Sequence, residues 1–219
     1  MLFAVVNRCA WRDSSEAMKS EEARSVGPGR RERKMRQVRD RLYTEAVELF
    51  VTQGYESTTM DHIADRADVA RATVFNHFAQ KAGILEEWGV RRRAKVLEIL
   101  RREHAEDLPV DRRLRRYVGE LASLNVESRA ETVVLMEASA RFGQLLRDPT
   151  PERELARIVE AGVLRGEVRR EVDSAVVGSL VAAGYFSTVM RWIAFDPEPF
   201  DLRERLEEML GIVLGGILV

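Results

Sequence analysis

The stretch Thr58–Phe78 limits what this chain can become more than any other part of it. It reads as two short helices around a tight turn. Thr58 or Thr59 can cap the first helix by accepting from an orphan backbone N–H. Thr58 with Asp61 approximates a capping box, with Asp in the place of Glu or Gln. Ile63, Ala64 and Ala67 recur at helical spacing and form one inward face. Asp68 falls where the chain must turn, and Asp enters the left-handed region more readily than most residues. Val74, Phe75 and Phe78 predict a second apolar face, with Arg71, Thr73, Asn76 and His77 pointing elsewhere. This is the pattern of a helix-turn-helix whose second helix is rich in polar donors.

The succession Thr-x-x-x-Ile-Ala from Thr59, Ala-x-Val around Val69, Thr73-Val-Phe-x-His-Phe78, then Lys81, Ile84 and Leu85 is specific. It resembles the DNA-binding region of the tetracycline-repressor (TetR) family of bacterial transcription regulators, from about Arg36 to Leu85. The resemblance implies an all-α fold. An N-terminal three-helix helix-turn-helix domain would bind DNA, and a C-terminal helical domain would bind ligand and dimerise. Three positions depart from the family pattern. Asp68 stands where Gly is usual, Ala70 where a capping Ser or Thr is common, and Phe75 where Tyr is frequent. Each departure weakens a DNA or cap contact without disturbing the packing pattern.

Upstream, residues 30–41 carry Arg30, Arg31, Arg33, Lys34, Arg36, Arg39 and Arg41 against Glu32 and Asp40 alone. A basic arm ahead of a helix-turn-helix suits phosphate neutralisation or minor-groove entry. Val38, Leu42, Ala46, Leu49 and Phe50 then predict a helix with one buried stripe, stopped by Gly54. The second helix of the motif fits the major groove, with its N-terminal residues at the base edges. Arg71 can pair two-pronged with guanine, Asn76 can bond adenine, and Thr73 can touch a thymine methyl or a phosphate. The resemblance places His77 and Lys81 at phosphate-contacting positions. The candidate DNA-binding set is Lys34, Arg36, Thr59, Arg71, Ala72, Thr73, Phe75, Asn76, His77 and Lys81.

The chain has 219 residues, enough for one large helical domain plus a small one, and a net charge of −1. Cys9 is its only cysteine, which excludes an intrachain disulfide and fits a cytoplasmic protein. Residues 1–29 read as an arm: Leu2–Val6 is too short for a signal-peptide core, and Ser14, Ser15, Gly27, Pro28 and Gly29 break any periodicity. The expected division is 1–29 arm, 30–80 helix-turn-helix domain and 81–219 helical domain. His62 and His104 lack partners at metal-ligand spacing, so no metal and no cofactor is expected. There is no nucleophile elbow and no phosphate loop, so no catalytic residues are expected and the chain does not read as an enzyme.

The remainder reads as a series of helices. One spans about Lys81 to Glu106 on Ile84, Leu85, Trp88, Val96, Leu97 and Leu100, with Arg91-Arg92-Arg93 as a solvated face. Others fall at Asp111–Val126, at Thr132–Arg147 behind a Ser128–Glu131 capping box, and from Thr150 to about Leu164. Asp173 should cap Ser174–Ala194, and Asp201 with Glu204 should cap Leu202–Leu218. Both final runs are shorter than the roughly 20 apolar residues of a membrane span, so no membrane partner is expected. The resemblance implies that these two helices pair with their copies in a homodimer. Such a dimer would read a pseudo-palindromic double-stranded operator. Aromatic and apolar residues of the body, Trp88, Tyr117, Met136, Phe142, Tyr185 and Trp192, are the candidate ligand-binding set, for an apolar or aromatic small-molecule effector. The expected function is a ligand-responsive repressor. The alternative is a dimeric DNA-binding protein whose body is only a dimerisation platform.

Overall fold

The computed structural model describes residues 29–141 and 150–219, and the described chain is helical throughout. The expected N-terminal arm, with Cys9, lies outside the described residues apart from Gly29, and so does Phe142. The helices are α1 (Arg30–Gln53), α2 (Met60–Arg66), α3 (Arg71–His77), α4 (Ala82–Arg102), α5 (Val110–Glu127), α6 (Arg129–Arg141), α7 (Thr150–Leu164), α8 (Ser174–Ile193) and α9 (Leu202–Ile217). A single 3-10 turn, Ala105–Asp107, lies between α4 and α5.

The packing divides within α1, into a unit ending at Arg41 and a unit running from Leu42 to Val219. The first unit is the basic half of α1. Its opening turn is closed by the Gly29 N–H donating to the Glu32 carboxylate at 3.1 Å, and Lys34 and Arg36 are exposed. In the second unit α1 buries Leu42, Ala46, Leu49 and Phe50. Gly54 ends it at φ +90°, a conformation that suits glycine.

Helices α7 and α8 make the densest pairing, followed by α5 with α9 and α8 with α9. Gly178 explains the first. A Cβ there would run into the Glu152 carbonyl oxygen and lie 2.9 Å from the Ala156 nitrogen. The missing side chain is what lets the two backbones approach. Asp173 caps α8, accepting from Ala175 and Val176 N–H at 2.9 and 3.3 Å, and Asp201 caps α9 by accepting from Glu204 N–H at 2.8 Å. The end of α9 is pinned to the segment after α7 by an isolated antiparallel bridge, Val168 to Leu218. Glu167 from the same segment accepts from the Val110 N–H at 2.6 Å and so caps α5. Its carboxyl is held below the usual range by Arg165 first and by that N–H second.

Several sequence expectations are corrected. The capping box of α2 is Thr59 with His62: the Thr59 hydroxyl accepts from His62 N–H at 3.1 Å, and His62 Nδ1 accepts from Thr59 N–H at 3.4 Å. Thr58 is buried instead, donating to the Gly54 carbonyl at 2.9 Å. The Ser128–Glu131 capping box does not form: the Ser128 carbonyl accepts from the Thr132 N–H at 2.9 Å at the start of α6, but its hydroxyl donates back to the Leu124 carbonyl at 2.7 Å and Glu131 turns to Trp88. Helix α4 stops at Arg102, and Leu97 is 41 % exposed rather than inward. Among the described helices α8 alone is long and apolar enough, by length and composition, to cross a membrane, so that run is not too short after all.

Candidate nucleic-acid interface and internal cavity

Helices α2 and α3 cross over a small core of Ile63, Ala64, Ala67, Val74 and Phe78, all buried. Asp68 makes the turn between them at φ +50°. A non-glycine residue there carries strain, and Asp is among the side chains that bear it best. Ala70 precedes α3 in extended conformation and gives it no side-chain cap.

This geometry turns one face of α3 outward. Arg71, Ala72, Phe75 and Asn76 are exposed on it; Thr73 and His77 are half-buried at its edges. Phe75 thus leaves the apolar face expected for it. Its ring lies under the Arg71 guanidinium, 5.4 Å from centroid to Cζ. Arg71 also pairs with Asp61 at 3.1 Å, with both side chains at least half exposed. A pair so exposed contributes about 0–1 kcal/mol, so the guanidinium can be redirected at little cost. Thr59 is exposed at the start of α2.

Lys81 is placed differently. Its ammonium donates to the carbonyls of Tyr55 at 2.5 Å, Thr58 at 2.8 Å and Glu56 at 3.3 Å. It also sits over the Tyr55 ring, 4.2 Å from the centroid. It fastens the α1–α2 connection from the head of α4. Burial lowers its pKa, opposed by Glu56.

Helices α4 to α8 line a cavity of about 60 Å³. Its wall is Trp88, Gly89, Arg92 and Arg93 from α4; Tyr117, Val118, Leu121 and Asn125 from α5; Met136 from α6; Pro151 and Leu155 from α7; and Ala182, Tyr185 and Phe186 from α8. Of the candidate ligand-binding residues, Trp88, Tyr117, Met136 and Tyr185 meet there. Trp192 does not. It is buried elsewhere, with the Arg129 guanidinium 5.2 Å from its ring.

The polar groups of the wall are bonded to one another. Arg92 stacks on Trp88 at 4.4 Å and donates to Asn125 Oδ1 at 2.8 Å and Ser128 Oγ at 2.5 Å. It lies 3.4 Å from Glu131, which also accepts from Trp88 Nε1 at 2.5 Å. Asn125 Nδ2 donates to the Tyr185 hydroxyl at 2.7 Å. Tyr117 donates to Glu154 at 2.6 Å, and Arg93 faces the same carboxylate at 3.7 Å. Burial pushes the Tyr117 phenol far up, helped by Glu154, and takes Tyr185 up to about 12 against the Asn125 bond. Next to Arg92 on the same turn, Arg91 pairs with Glu87 at 2.8 Å and covers the ring of Tyr43 on α1 at 4.1 Å. Among the described residues no three His, Cys, Asp or Glu side chains are grouped to hold a metal ion.

Residues 42–88 match the family model of bacterial regulatory proteins of the tetR family. The transcriptional regulator TcmR of Streptomyces glaucescens is 54 % identical over 55 residues, which cover 25 % of this chain and 24 % of TcmR. The match therefore spans about a quarter of that relative's length. AcrR of Shigella flexneri, also a helix-turn-helix transcriptional regulator, is 25 % identical over 195 residues, 81 % of this chain and 88 % of AcrR. Over residues 42–88 the chain is similar to the TetR family. Among solved structures, Thermus thermophilus FadR, a TetR-family repressor crystallised with lauroyl-CoA, superposes with a TM-score of 0.69 at 28 % identity. That superposition covers 83 % of this chain and 95 % of FadR.

The sequence expectation that fails most is the solvated Arg91–Arg93 face. Arg92 and Arg93 are 12 % exposed at the side chain. The signal was present in the spacing: Trp88, Arg92, Val96 and Leu100 follow one another at i, i+4, and three of the four are buried apolar residues. Three successive arginines also span about 200° of a helix, so they cannot all share its outer side.

Proposed function

We propose that this protein is a cytoplasmic, ligand-responsive transcriptional repressor of the TetR family, without enzymatic activity, that binds a pseudo-palindromic operator as a homodimer. Residues 30–80 form the reading head and 81–219 the effector-binding and dimerisation body. The observation that carries the reading is the outward face of α3, with Arg71 and Asn76 together at the surface beside Phe75. Arg71 suits guanine and Asn76 suits adenine in the major groove. Lys34 and Arg36, with Thr59 and His77, fit phosphate contacts that set register without reading sequence.

Two copies are required for a rare site, because one short helix reaches few base pairs. Helices α8 and α9 supply the surface for pairing. Val176 and Leu180 on α8 are more than half exposed, and Ile212 on α9 is 80 % exposed. Exposed apolar side chains of this kind favour coverage by a partner. Two heads would then meet successive major grooves about 34–36 Å apart, or somewhat more. An effector in the cavity acts on that spacing through α4. Trp88 and Arg92 touch the cavity, and Arg91 on the same turn touches Tyr43 of the head. Release is limited by the effector's differential affinity for the two spacings. FadR's complex with lauroyl-CoA supports a body that receives small molecules.

The test is displacement. An operator selected from random duplexes should be bound at low nanomolar to subnanomolar concentrations, of the order of 10⁻⁸–10⁻¹¹ M at physiological salt. A small-molecule screen should then release it. Insensitivity to every compound returns the reading of a DNA-binding dimer without an effector, and failure to enrich any duplex removes the reading altogether.

A further inference from the structure

Phe75 is the one large apolar side chain on the outward face of α3. Its ring is 40 % exposed, among exposed Arg71, Ala72 and Asn76. Val74 and Phe78 supply the buried face of the motif, together with Ile63, Ala64 and Ala67, so the core makes no demand on this ring. The ring is nevertheless held. Arg71 lies one turn before it, with its guanidinium 5.4 Å from the ring centroid. An i, i+4 pair that sets a cation over an aromatic face limits where both side chains point. Ala72 adds only a methyl group to the same face, which leaves the ring standing clear.

The chemistry of the ring decides what it can meet in a duplex. A phenyl group has neither donor nor acceptor, so it cannot pair with a phosphate or with a polar atom of a base edge. Pressed against such an atom it would remove water and return no hydrogen bond. In the major groove the bases offer acceptors, amino donors and one apolar group, the C5-methyl of thymine. The 5.4 Å between ring and guanidinium falls between one and two base-pair steps of about 3.4 Å. We propose that Phe75 is a specificity-determining residue, whose ring packs on the methyl group of a thymine within two base pairs of the guanine that Arg71 reads. This rests on the reading of the outward face of α3 as the part that enters the major groove.

The test removes that methyl group and nothing else. Each thymine of the selected operator is replaced in turn by deoxyuridine, and binding of the full chain is titrated at constant salt. A thymine within two base pairs of the guanine whose preference Arg71→Ala removes should respond. The loss should be about fourfold for each half-site changed, the effect of burying one methyl group. Phe75→Ala should bind the thymine and deoxyuridine operators alike. The wild-type series alone decides the matter if that variant does not fold. Indifference of the wild type to every replacement within that distance overturns the proposal, as does a response that Phe75→Ala retains. Tight binding of an operator with either of those results leaves the regulator reading standing, whereas failure to enrich any duplex removes both.

Discussion

Arg71, Lys34 and Lys81 each bring a positive charge to the reading head, yet their surroundings assign them different work. Among the described residues Arg71 is held by an exposed Asp61 and a ring contact, so its fork is open to a base edge. Replacing it with Ala should cost about 1–3 kcal/mol on the selected operator and flatten the preference at one base position. Competition with operators varied at each position will read this. Lys34 lies exposed in the basic half of α1. Lys34→Ala should weaken all duplexes alike and lower the salt slope by about one; titrations at several salt concentrations measure it. Lys81 donates to three carbonyls of the α1–α2 connection. Lys81→Met should therefore destabilise the fold by about 2 kcal/mol, the scale of a charged hydrogen bond lost from partly buried acceptors. Thermal unfolding without DNA reports it, and an unchanged midpoint would return Lys81 to the phosphate-contact role that its sequence position suggests.

At the scale of elements, some helix ends were legible. Asp173, Asp201 and Gly54 each act locally, through one cap or one left-handed residue, and local chemistry can be read without a partner. The outward face of α3 followed from its periodicity for Arg71 and Asn76, but not for Phe75, because periodicity gives an apolar residue no reason to stay outside. The cavity was half legible. Trp88, Tyr117, Met136 and Tyr185 were named for their aromatic or soft character, whereas Asn125 and Glu154 take their roles from residues 33 to 60 positions away. No spacing rule connects such pairs. Close approach of α7 and α8 offers a direct test. Gly178→Ala should destabilise by about 1–3 kcal/mol, since the obstacles to its methyl are backbone atoms of α7. Gly211→Ala in α9 meets nothing within 4 Å and should instead stabilise, by up to about 1 kcal/mol through helix propensity. Denaturant midpoints of the two variants should move in opposite directions.

For the whole molecule, the proposed dimer makes DNA recognition depend on two heads at a fixed distance, and therefore on the α8–α9 surface. Ile212→Asp places a charge at a residue that is 80 % exposed in one chain, so the fold of that chain should be nearly unaffected. It should nevertheless convert the protein to single subunits in sedimentation and weaken operator binding by at least an order of magnitude, because each half-site must then hold its own head. The most direct examination of the central claim is a hydroxyl-radical footprint on the selected operator. Two protected half-sites related by a dyad, about 10–10.5 base pairs apart or somewhat more, are predicted for the wild type. A single unsymmetrical patch, or protection that persists unchanged when Arg71 and Asn76 are both replaced by Ala, would contradict it.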